Sequence, residues 1–387
     1  MIKPDYQGHS IVNLMSAIVT GSGGKATHYP GLTHPLLDDM RRYRHVVLLI
    51  VDGLGYDYLL HQGRGTLLAE QISCRLTSVF PSTTAAAITS FHTGLAPQQH
   101  GLTGWHVYFR ELGCVLAVLP GIPRHGGVPL GKSGVPVGRF FGHRPVFDRM
   151  PVKSHVVSPA RIARSDFNLA HRGKAELESF ETLDDFFTLL QRIVRGRHSG
   201  AGFTLAYWPE LDHISHESGC QSASALSHLR QFDAAYRAFL DAVRGTDTLV
   251  LVTADHGFLD TSPAHTVDLA DHPELTRSLV LPLCGERRLA YCYVKPKQTG
   301  AFEQYVRTRL GHCIELADSQ QLLAEGYFGT GKPHPHLHER IGDYTLIMKE
   351  NWVVVERLPY EKGYQQTGVH GGVSAAEMYV PLCAAVV

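Results

Sequence analysis

Three apolar runs that lead into aspartates constrain the fold of this chain more than any other feature. The runs are His45–Val51 before Asp52, Gly202–Trp208 upstream of Asp212, and Thr248–Thr253 before Asp255. Such runs lack the polar alternation of a half-buried strand and are typical of strands buried on both faces. Between the last two runs, apolar residues recur at helical spacing from residue 221 to residue 243. Strand, helix and strand in this order predict a βαβ unit within a parallel sheet.

The fold class that follows is α/β, with a mostly parallel central sheet and helices on both faces. Shorter strands expected at residues 291–294, 344–348 and 352–356 alternate with helical stretches, which indicates an inserted smaller α+β subdomain at 259–362. The main α/β domain is then expected to comprise residues 1–258 and 363–387. Residues 110–144 are rich in glycine and proline and are predicted to form loops over the site.

The composition excludes several classes of function. Lys and Arg together number 36, as do Asp and Glu, so no net field favours a nucleic acid polymer or an anionic membrane as partner. No run approaches the roughly 20 apolar residues of a membrane span, and residues 11–19 lack the flanking features of a signal peptide. The 7 cysteines form no C-x-x-C spacing, so neither a disulfide framework nor a thiolate zinc site is indicated. A cytoplasmic location is expected.

Six candidate metal ligands lie near predicted strand ends or between glycines. They are Asp52, Asp212, His216, Asp255, His256 and His370. Because ligands bind at the carboxyl ends of the strands in open α/β sheets, we expect these side chains to converge. Asp212 and His216 are spaced i and i+4, on one face of a helical turn. A turn or surface role explains each segment alone equally well, whereas one shared site explains all of them together.

A hydroxyl group stands at a predicted helix start in residues 80–88, where Ser82 or Thr83 is placed to cap an alanine-rich helix. In the functional interpretation, unpaired N–H groups and the helix dipole at such a position favour a phosphate. A threonine hydroxyl becomes a nucleophile only when a metal or a base lowers its pKa. The carboxylate and imidazole ligands above suit two divalent ions, Zn²⁺ in the first place and Mn²⁺ as the alternative.

The candidate residues belong to six short segments with a fixed order along the chain. The segments are Asp52, Phe80-Pro-Ser-Thr-Thr84, Thr93-Gly-Leu-x-Pro-x-x-His-Gly101, Asp212-x-x-x-His216-x-x-Gly219, Asp255-His256-Gly257 and Gly368-x-His370-Gly371. This order resembles the type I phosphodiesterase / nucleotide pyrophosphatase branch of the alkaline phosphatase superfamily. The resemblance implies an alkaline phosphatase-like catalytic domain with two zinc ions. It implies that Asp212, His216 and His370 hold one ion, and that Asp52, Asp255 and His256 hold the other. It places Thr84 as a metal-contacting nucleophile that forms a phospho-threonine intermediate.

Two positions depart from the pattern of that family. The place of the phosphate-binding asparagine of nucleotide-cleaving members falls on Trp105, and Ala85 stands where those members tend to have an aromatic residue. A different donor must then serve the phosphate. Trp105, Tyr108 and Trp208 are candidates for lining a replacement substrate pocket, although core packing is the commoner role of such aromatic residues.

Two further histidine segments have a simpler interpretation. His334, His336 and His338 alternate with prolines and leucine, so they form either a further metal site or a solvated loop, and the prolines favour the loop. His213 is predicted to point away from the face that carries Asp212 and His216.

The function expected from these observations is phosphodiesterase or nucleotide pyrophosphatase activity on a small-molecule phosphoester such as a nucleotide. A phosphomonoesterase or phosphomutase on the same fold is the main alternative, and a non-catalytic metal-binding homologue is the third. The nucleophile segment contains no Arg or Lys, which a doubly charged monoester would require nearby. This absence favours diesters.

Overall fold

The computed structural model of the chain describes residues 1–25, 28–141, 143–196, 201–359, 361 and 366–387. Its strands, in chain order, are β1 (His45–Val51), β2 (Ile72–Thr77), β3 (His106–Phe109), β4 (Cys114–Ala117), β5 (Ile122–Pro123), β6 (Lys153–Pro159), β7 (Glu176–Phe180), β8 (Gly202–Trp208), β9 (Thr248–Thr253), β10 (Leu259–Asp260), β11 (Thr266–Asp268), β12 (Cys284–Gly285), β13 (Leu289–Cys292), β14 (Ile314–Asp318), β15 (Tyr344–Met348), β16 (Val353–Val355), β17 (Gly368–Val369) and β18 (Tyr379–Val386).

The α-helices of the described residues are α1 (Ile11–Gly21), α2 (Tyr56–His61), α3 (Leu67–Glu70), α4 (Thr84–Thr93), α5 (Pro97–His100), α6 (Ala160–Ala163), α7 (Asp166–His171), α8 (Leu183–Arg195), α9 (Glu210–Ser218), α10 (Ala223–Ala242), α11 (Pro273–Ser278), α12 (Thr299–Tyr305), α13 (Ser319–Ala324), α14 (Leu337–Arg340) and α15 (Ala375–Met378). None of them is long and apolar enough to cross a membrane.

A seven-stranded central sheet carries the largest apolar core. Its strand order is β2-β18-β9-β1-β8-β6-β7. The five strands from β9 to β7 are mutually parallel, whereas β18 pairs antiparallel with both β9 and β2. Every residue of β1 and of β9 is buried, which explains why these strands are apolar throughout and requires packed elements on both faces of the sheet. The predicted α/β fold class with a mostly parallel sheet is confirmed.

The register of the parallel strands brings three chain segments to one edge of this sheet. Ile50 of β1 pairs with Thr253 of β9, and Val51 pairs with Trp208 of β8. The residues that follow β1, β8 and β9 therefore leave the sheet side by side, at the edge where open α/β sheets bind ligands.

A second seven-stranded sheet, entirely antiparallel, lies beside the first and has the order β14-β15-β13-β12-β3-β4-β5. Strands β4 and β5 lie within residues 110–144, which corrects the expectation that this segment forms only loops. Their burial explains the difference, since Val115 and Leu116 pack into the apolar clusters that include this sheet. The sheet combines strands from both sides of the predicted boundary at residue 258, and the division into a main domain and an inserted subdomain stays a prediction.

Two glycines make a close backbone contact where β12 pairs with β3 in the second sheet. A Cβ atom at Gly104 would lie 2.7 Å from the Cα atom of Gly285, and Gly285 has a φ of +86°. Only glycines allow this approach of the two backbones, because a side chain at residue 104 would displace strand β12. The contact fixes the turn after β12 against the segment that leads into β3.

Candidate active site

The six predicted ligands and Thr84 all lie near the carboxyl edge of the central sheet. Asp52 follows β1, Asp255 and His256 follow β9, and His370 follows β17, while Asp212 and His216 lie on α9 just after β8. Thr84 is the first residue of α4. The chain reaches this edge from five separate elements, so the convergence is a property of the fold rather than of any local segment.

One group of ligand atoms is centred on Asp212. Its Oδ1 atom lies 3.4 Å from Nε2 of His216 and 3.7 Å from Nε2 of His370. One ligand atom from each of these three residues lies within 4.8 Å of the other two. This arrangement offers one carboxylate and two imidazoles to a single cation, the composition of a catalytic zinc site with room for a further ligand.

A second group is centred on His256. Its Nε2 atom lies 3.3 Å from Oδ1 of Asp52, 3.4 Å from Oδ2 of Asp255 and 3.1 Å from Oγ1 of Thr84. Asp52, Asp212 and His256 also have ligand atoms within 4.8 Å of one another. Because Asp212 belongs to both groups, the two groups are immediate neighbours.

The carboxylates show the hydrogen-bond pattern expected of metal ligands. In each of Asp52 and Asp255, one oxygen is held by protein donors: Tyr207 O–H donates to Oδ2 of Asp52, and two backbone N–H groups donate to Oδ1 of Asp255 at 3.0 and 3.1 Å. The remaining oxygens, Asp52 Oδ1 and Asp255 Oδ2, are buried without a hydrogen-bond partner among the described residues, as is Asp212 Oδ1. Buried carboxylate oxygens are stable only when paired, so these residues fit divalent cations.

The three imidazoles are oriented by backbone carbonyls. Nδ1 of His216 donates to Gly368 O at 2.9 Å, Nδ1 of His256 to Gly257 O at 3.1 Å, and Nδ1 of His370 to Ser82 O at 3.4 Å. A carbonyl only accepts, so each Nδ1 carries the proton and each Nε2 presents a lone pair to the carboxylates. Such outer contacts are typical of histidines that bind metals.

Burial and like charge perturb the titration of the site. Desolvation, followed by repulsion from the neighbouring carboxylates, raises the pKa of Asp52 and the pKa of Asp212 well above the usual value. Desolvation lowers the pKa of His216 to about 4 and also lowers the pKa of His256 and of His370. The histidines are therefore neutral, as ligands must be, and they cannot offset the carboxylate charge.

The Thr84 hydroxyl contacts the ligand group, whereas the hydroxyls of the two preceding residues bond to other partners. Ser82 Oγ donates to Gly372 O at 2.7 Å, and the Thr83 hydroxyl donates to Glu286. Neither side chain caps α4, so the capping interpretation of residues 80–88 is corrected. The Thr84 hydroxyl stands at the N-terminus of a ten-residue helix, beside His256, where an anion is favoured.

The candidate ligands open into a cavity of about 590 Å³. Trp105, whose side chain is 38% exposed, lines this cavity together with Thr84 and Asp212. Arg124 also lines it, but its guanidinium is buried against Glu361 at 2.7 Å and Glu356 at 3.5 Å. The charge of Arg124 is therefore paired within the protein, and we assign this residue a structural role.

Two of the three aromatic candidates for the substrate pocket lie away from this cavity. Tyr108 packs against Tyr293 with ring centroids 5.5 Å apart. Trp208 is buried at the end of β8, stacked on Phe180 at 5.5 Å, and its Nε1 donates to His228. Alternation along β8 turns the Trp208 ring into the core, so of the three candidates only Trp105 lines the cavity.

The remaining histidine candidates have separate partners. Nδ1 of His334 accepts from the His336 N–H at 3.1 Å, His336 contacts Glu339 at 2.9 Å, and His338 contacts Gln320. The three rings do not converge on one point. His213 lies 3.7 Å from Glu217, away from the ligand atoms of Asp212 and His216.

Glu286 is the site residue that the sequence interpretation missed. It lies in the turn after β12, lines the cavity with Thr84, and accepts hydrogen bonds from the Thr83 hydroxyl and from the Trp105 N–H at 2.7 Å. Desolvation raises its pKa to about 7. No motif or periodicity marks this residue, since its partners are separated from it by 203 and 181 positions in the chain.

Comparison with known proteins agrees with this geometry. The family model for type I phosphodiesterase / nucleotide pyrophosphatase matches residues 46–373. Among solved structures, the chain is similar to an inactive form of murine ectonucleotide pyrophosphatase / phosphodiesterase 5 in complex with AMP (TM-score 0.63, 16% identity, 88% of this chain and 87% of that chain covered). The human protein of the same name gives a TM-score of 0.64 at 13% identity with the same coverage. No curated protein matches the sequence.

Proposed function

The chain belongs to the type I phosphodiesterase / nucleotide pyrophosphatase family, and from this premise we propose that it hydrolyses phosphodiester or pyrophosphate bonds through a phospho-threonine intermediate on Thr84. The observation that carries the proposal is the set of three buried carboxylate oxygens without hydrogen-bond partners among the described residues, clustered with the Nε2 atoms of three neutral histidines. The Thr84 hydroxyl lies 3.1 Å from one of those nitrogens.

Two metal ions are part of the proposal. Asp212, His216 and His370 would hold one, and Asp52, Asp255 and His256 the other. Carboxylate and imidazole donors without thiolate suit Zn²⁺, with Mn²⁺ as the alternative. When bound, such ions lower the pKa of a hydroxyl or water and neutralise charge on the transferring phosphoryl group.

The residues of the chain then perform two displacements. Oγ1 of Thr84 gives its proton to solvent, attacks phosphorus, and forms the P–O bond as the leaving group departs with the electron pair of its own bond. Water next attacks phosphorus, the P–O bond to Thr84 breaks, and a proton from that water restores the Thr84 hydroxyl. The N-terminus of α4 favours the negative charge of the phosphoryl group at Thr84 in both steps. The Tyr207 hydroxyl and the backbone carbonyls hold the ligands in position throughout.

The substrate class follows from the cavity and from the likeness to an AMP complex. A small phosphoester, with a nucleotide as the leading candidate, fits a cavity of about 590 Å³ whose wall includes the partly exposed Trp105 ring. The aromatic ring offers a stacking surface for a planar group. A nucleic acid polymer is not expected, because the chain carries no net charge to attract one.

Turnover of methyl 4-nitrophenyl phosphate tests this function. We expect the activity to disappear on chelation, to return with Zn²⁺, and to fall at least about a thousandfold in Thr84→Ala. Ser82→Ala, which removes a neighbouring hydroxyl that is bound to Gly372, is the matched control and should retain activity. Turnover that survives both chelation and Thr84→Ala contradicts the proposal.

A reducing compartment, such as the cytoplasm, completes the proposal, because all seven cysteines are free. Fractionation of cells that express the native gene tests this location, and recovery of the protein outside the cell contradicts it.

A further inference from the structure

Glu286 brings a carboxylate from the second sheet to the reaction centre. Its Oε1 atom accepts from the hydroxyl of Thr83, the residue before the nucleophile, and from the backbone N–H of Trp105 at 2.7 Å. The two donors lie on separate segments that border the cavity, one just before α4 and one just before β3. The carboxylate is therefore fixed at two points beside Thr84 rather than mobile on the surface.

The backbone also prevents Glu286 from moving away. A Cβ atom at Gly371 would lie 2.7 Å from Cβ of Glu286, so the glutamate packs directly on the backbone next to His370. On its other side, Gly285 packs closely on Gly104. These close contacts hold the side chain in the cavity wall.

The second oxygen of Glu286 remains available. Oε2 makes no hydrogen bond with any described residue, and Glu286 lines the cavity together with Thr84, Asp212 and Arg287. The two proposed cations and the guanidinium of Arg287 favour the ionised carboxylate. A substrate phosphoryl group at Thr84 therefore meets a fixed negative charge in addition to the metal ligands.

This charge affects substrates unequally. At neutral to basic pH a phosphodiester carries one negative charge, whereas a phosphomonoester and inorganic phosphate carry close to two. In a partly desolvated cavity, repulsion between a fixed carboxylate and the additional charge is stronger than it would be in water. We propose, resting on the function proposed above, that Glu286 is a specificity-determining residue that excludes phosphomonoesters and inorganic phosphate in favour of diesters.

The test compares 4-nitrophenyl phosphate with methyl 4-nitrophenyl phosphate, which share a leaving group. In Glu286→Gln the Oε1 acceptor remains while the charge is lost, and we expect the monoester-to-diester ratio of kcat/KM to rise about tenfold or more. Glu286→Ala removes the charge without adding a donor and should shift the ratio in the same direction. Glu217→Gln removes an exposed carboxylate from the helix that carries Asp212, and its ratio should stay within about twofold of the wild type.

Binding gives a readout that does not depend on turnover. Both proteins are loaded with zinc, and their affinity for inorganic phosphate is measured by calorimetry at pH 8. Glu286→Gln should bind phosphate about tenfold more tightly than the wild type does. The inference is overturned if the folded variants keep both the monoester-to-diester ratio of kcat/KM and the phosphate affinity within about twofold of the wild type. That result leaves the phosphodiesterase proposal intact. Absence of turnover on both esters, together with tighter phosphate binding by the variant, overturns the proposed function instead.

Discussion

Tyr207 offers a direct way to weaken one metal group without removing a ligand. Its hydroxyl, in strand β8, donates to Oδ2 of Asp52, while Oδ1 of Asp52 lies 3.3 Å from Nε2 of His256. Tyr207→Phe removes the donor and keeps the ring. We expect this variant to bind zinc more weakly than the wild type.

The magnitude follows from the burial of the pair. Asp52 must be ionised to bind a cation, and a hydrogen bond to a buried charged group contributes about 1.5–3 kcal/mol. When metal is absent, burial and the neighbouring carboxylates raise the pKa of Asp52, which favours its protonated form, and a hydrogen bond to the protonated form contributes less. The loss therefore falls mainly on the metal-bound state, and it corresponds to a decrease in zinc affinity of about 10- to 100-fold.

Competition between the protein and a chromophoric chelator measures this affinity. Tyr58→Phe is the matched control, because the Tyr58 hydroxyl is buried without a hydrogen-bond partner among the described residues. It should bind zinc like the wild type, and excess zinc should restore activity to Tyr207→Phe. If Tyr207→Phe and Tyr58→Phe bind zinc equally well, the assignment of Asp52 as a ligand oriented by Tyr207 is refuted.

Three further predictions concern stability. Desolvation lowers the pKa of His171 to about 3. Below pH 6.5 the unfolded chain therefore binds a proton at His171 that the folded chain does not bind. This difference lowers the free energy of unfolding by about 1.4 kcal/mol for each pH unit that the pH falls. His171→Leu lacks this proton-binding group. The difference in free energy of unfolding between the wild type and His171→Leu, measured in urea, should therefore shift by about 2 kcal/mol in favour of the variant between pH 7.5 and pH 5. A difference that stays constant would contradict the lowered pKa of His171. Gly104→Ala should lower the free energy of unfolding by at least about 1 kcal/mol, because the added Cβ meets the backbone of Gly285. Gly300→Ala, in open space on α12, should be neutral or stabilising, and equal effects of the two substitutions would contradict the close contact of Gly104 with Gly285. Saturation with Zn²⁺ at about 100 times Kd should stabilise the chelated protein by about 2.7 kcal/mol, and an unchanged Tm would argue against a native metal site.

The sequence predicts best those elements in which every residue has the same surroundings, such as strands buried on both faces. Strands β1, β8 and β9 have the bounds expected from their apolar runs, and α10 differs by two residues at its start and one at its end. Burial on both faces leaves polar residues only at the strand ends, which is why Asp52 and Asp255 are recognisable.

The parts that sequence patterns do not predict depend on contacts between distant segments. Glu286 reaches the cavity through a two-residue strand, and its importance depends on hydrogen bonds to residues 203 and 181 positions away. The direction of the Trp208 ring depends on which side of β8 faces Phe180. Strand β4 pairs with its neighbours β3 and β5, and β3 in turn pairs with the distant β12. The glycine and proline content of this segment alone favours loops, so its place in the second sheet is not evident from composition.

The stereochemical course at phosphorus tests the covalent role of Thr84 most directly. Hydrolysis of a chiral phosphorothioate diester in ¹⁸O-labelled water, followed by ³¹P NMR of the product, distinguishes one displacement from two. Two in-line displacements through Thr84 predict net retention of configuration, together with loss of the reaction in Thr84→Ala. Net inversion would show that water attacks the diester directly and would contradict the account.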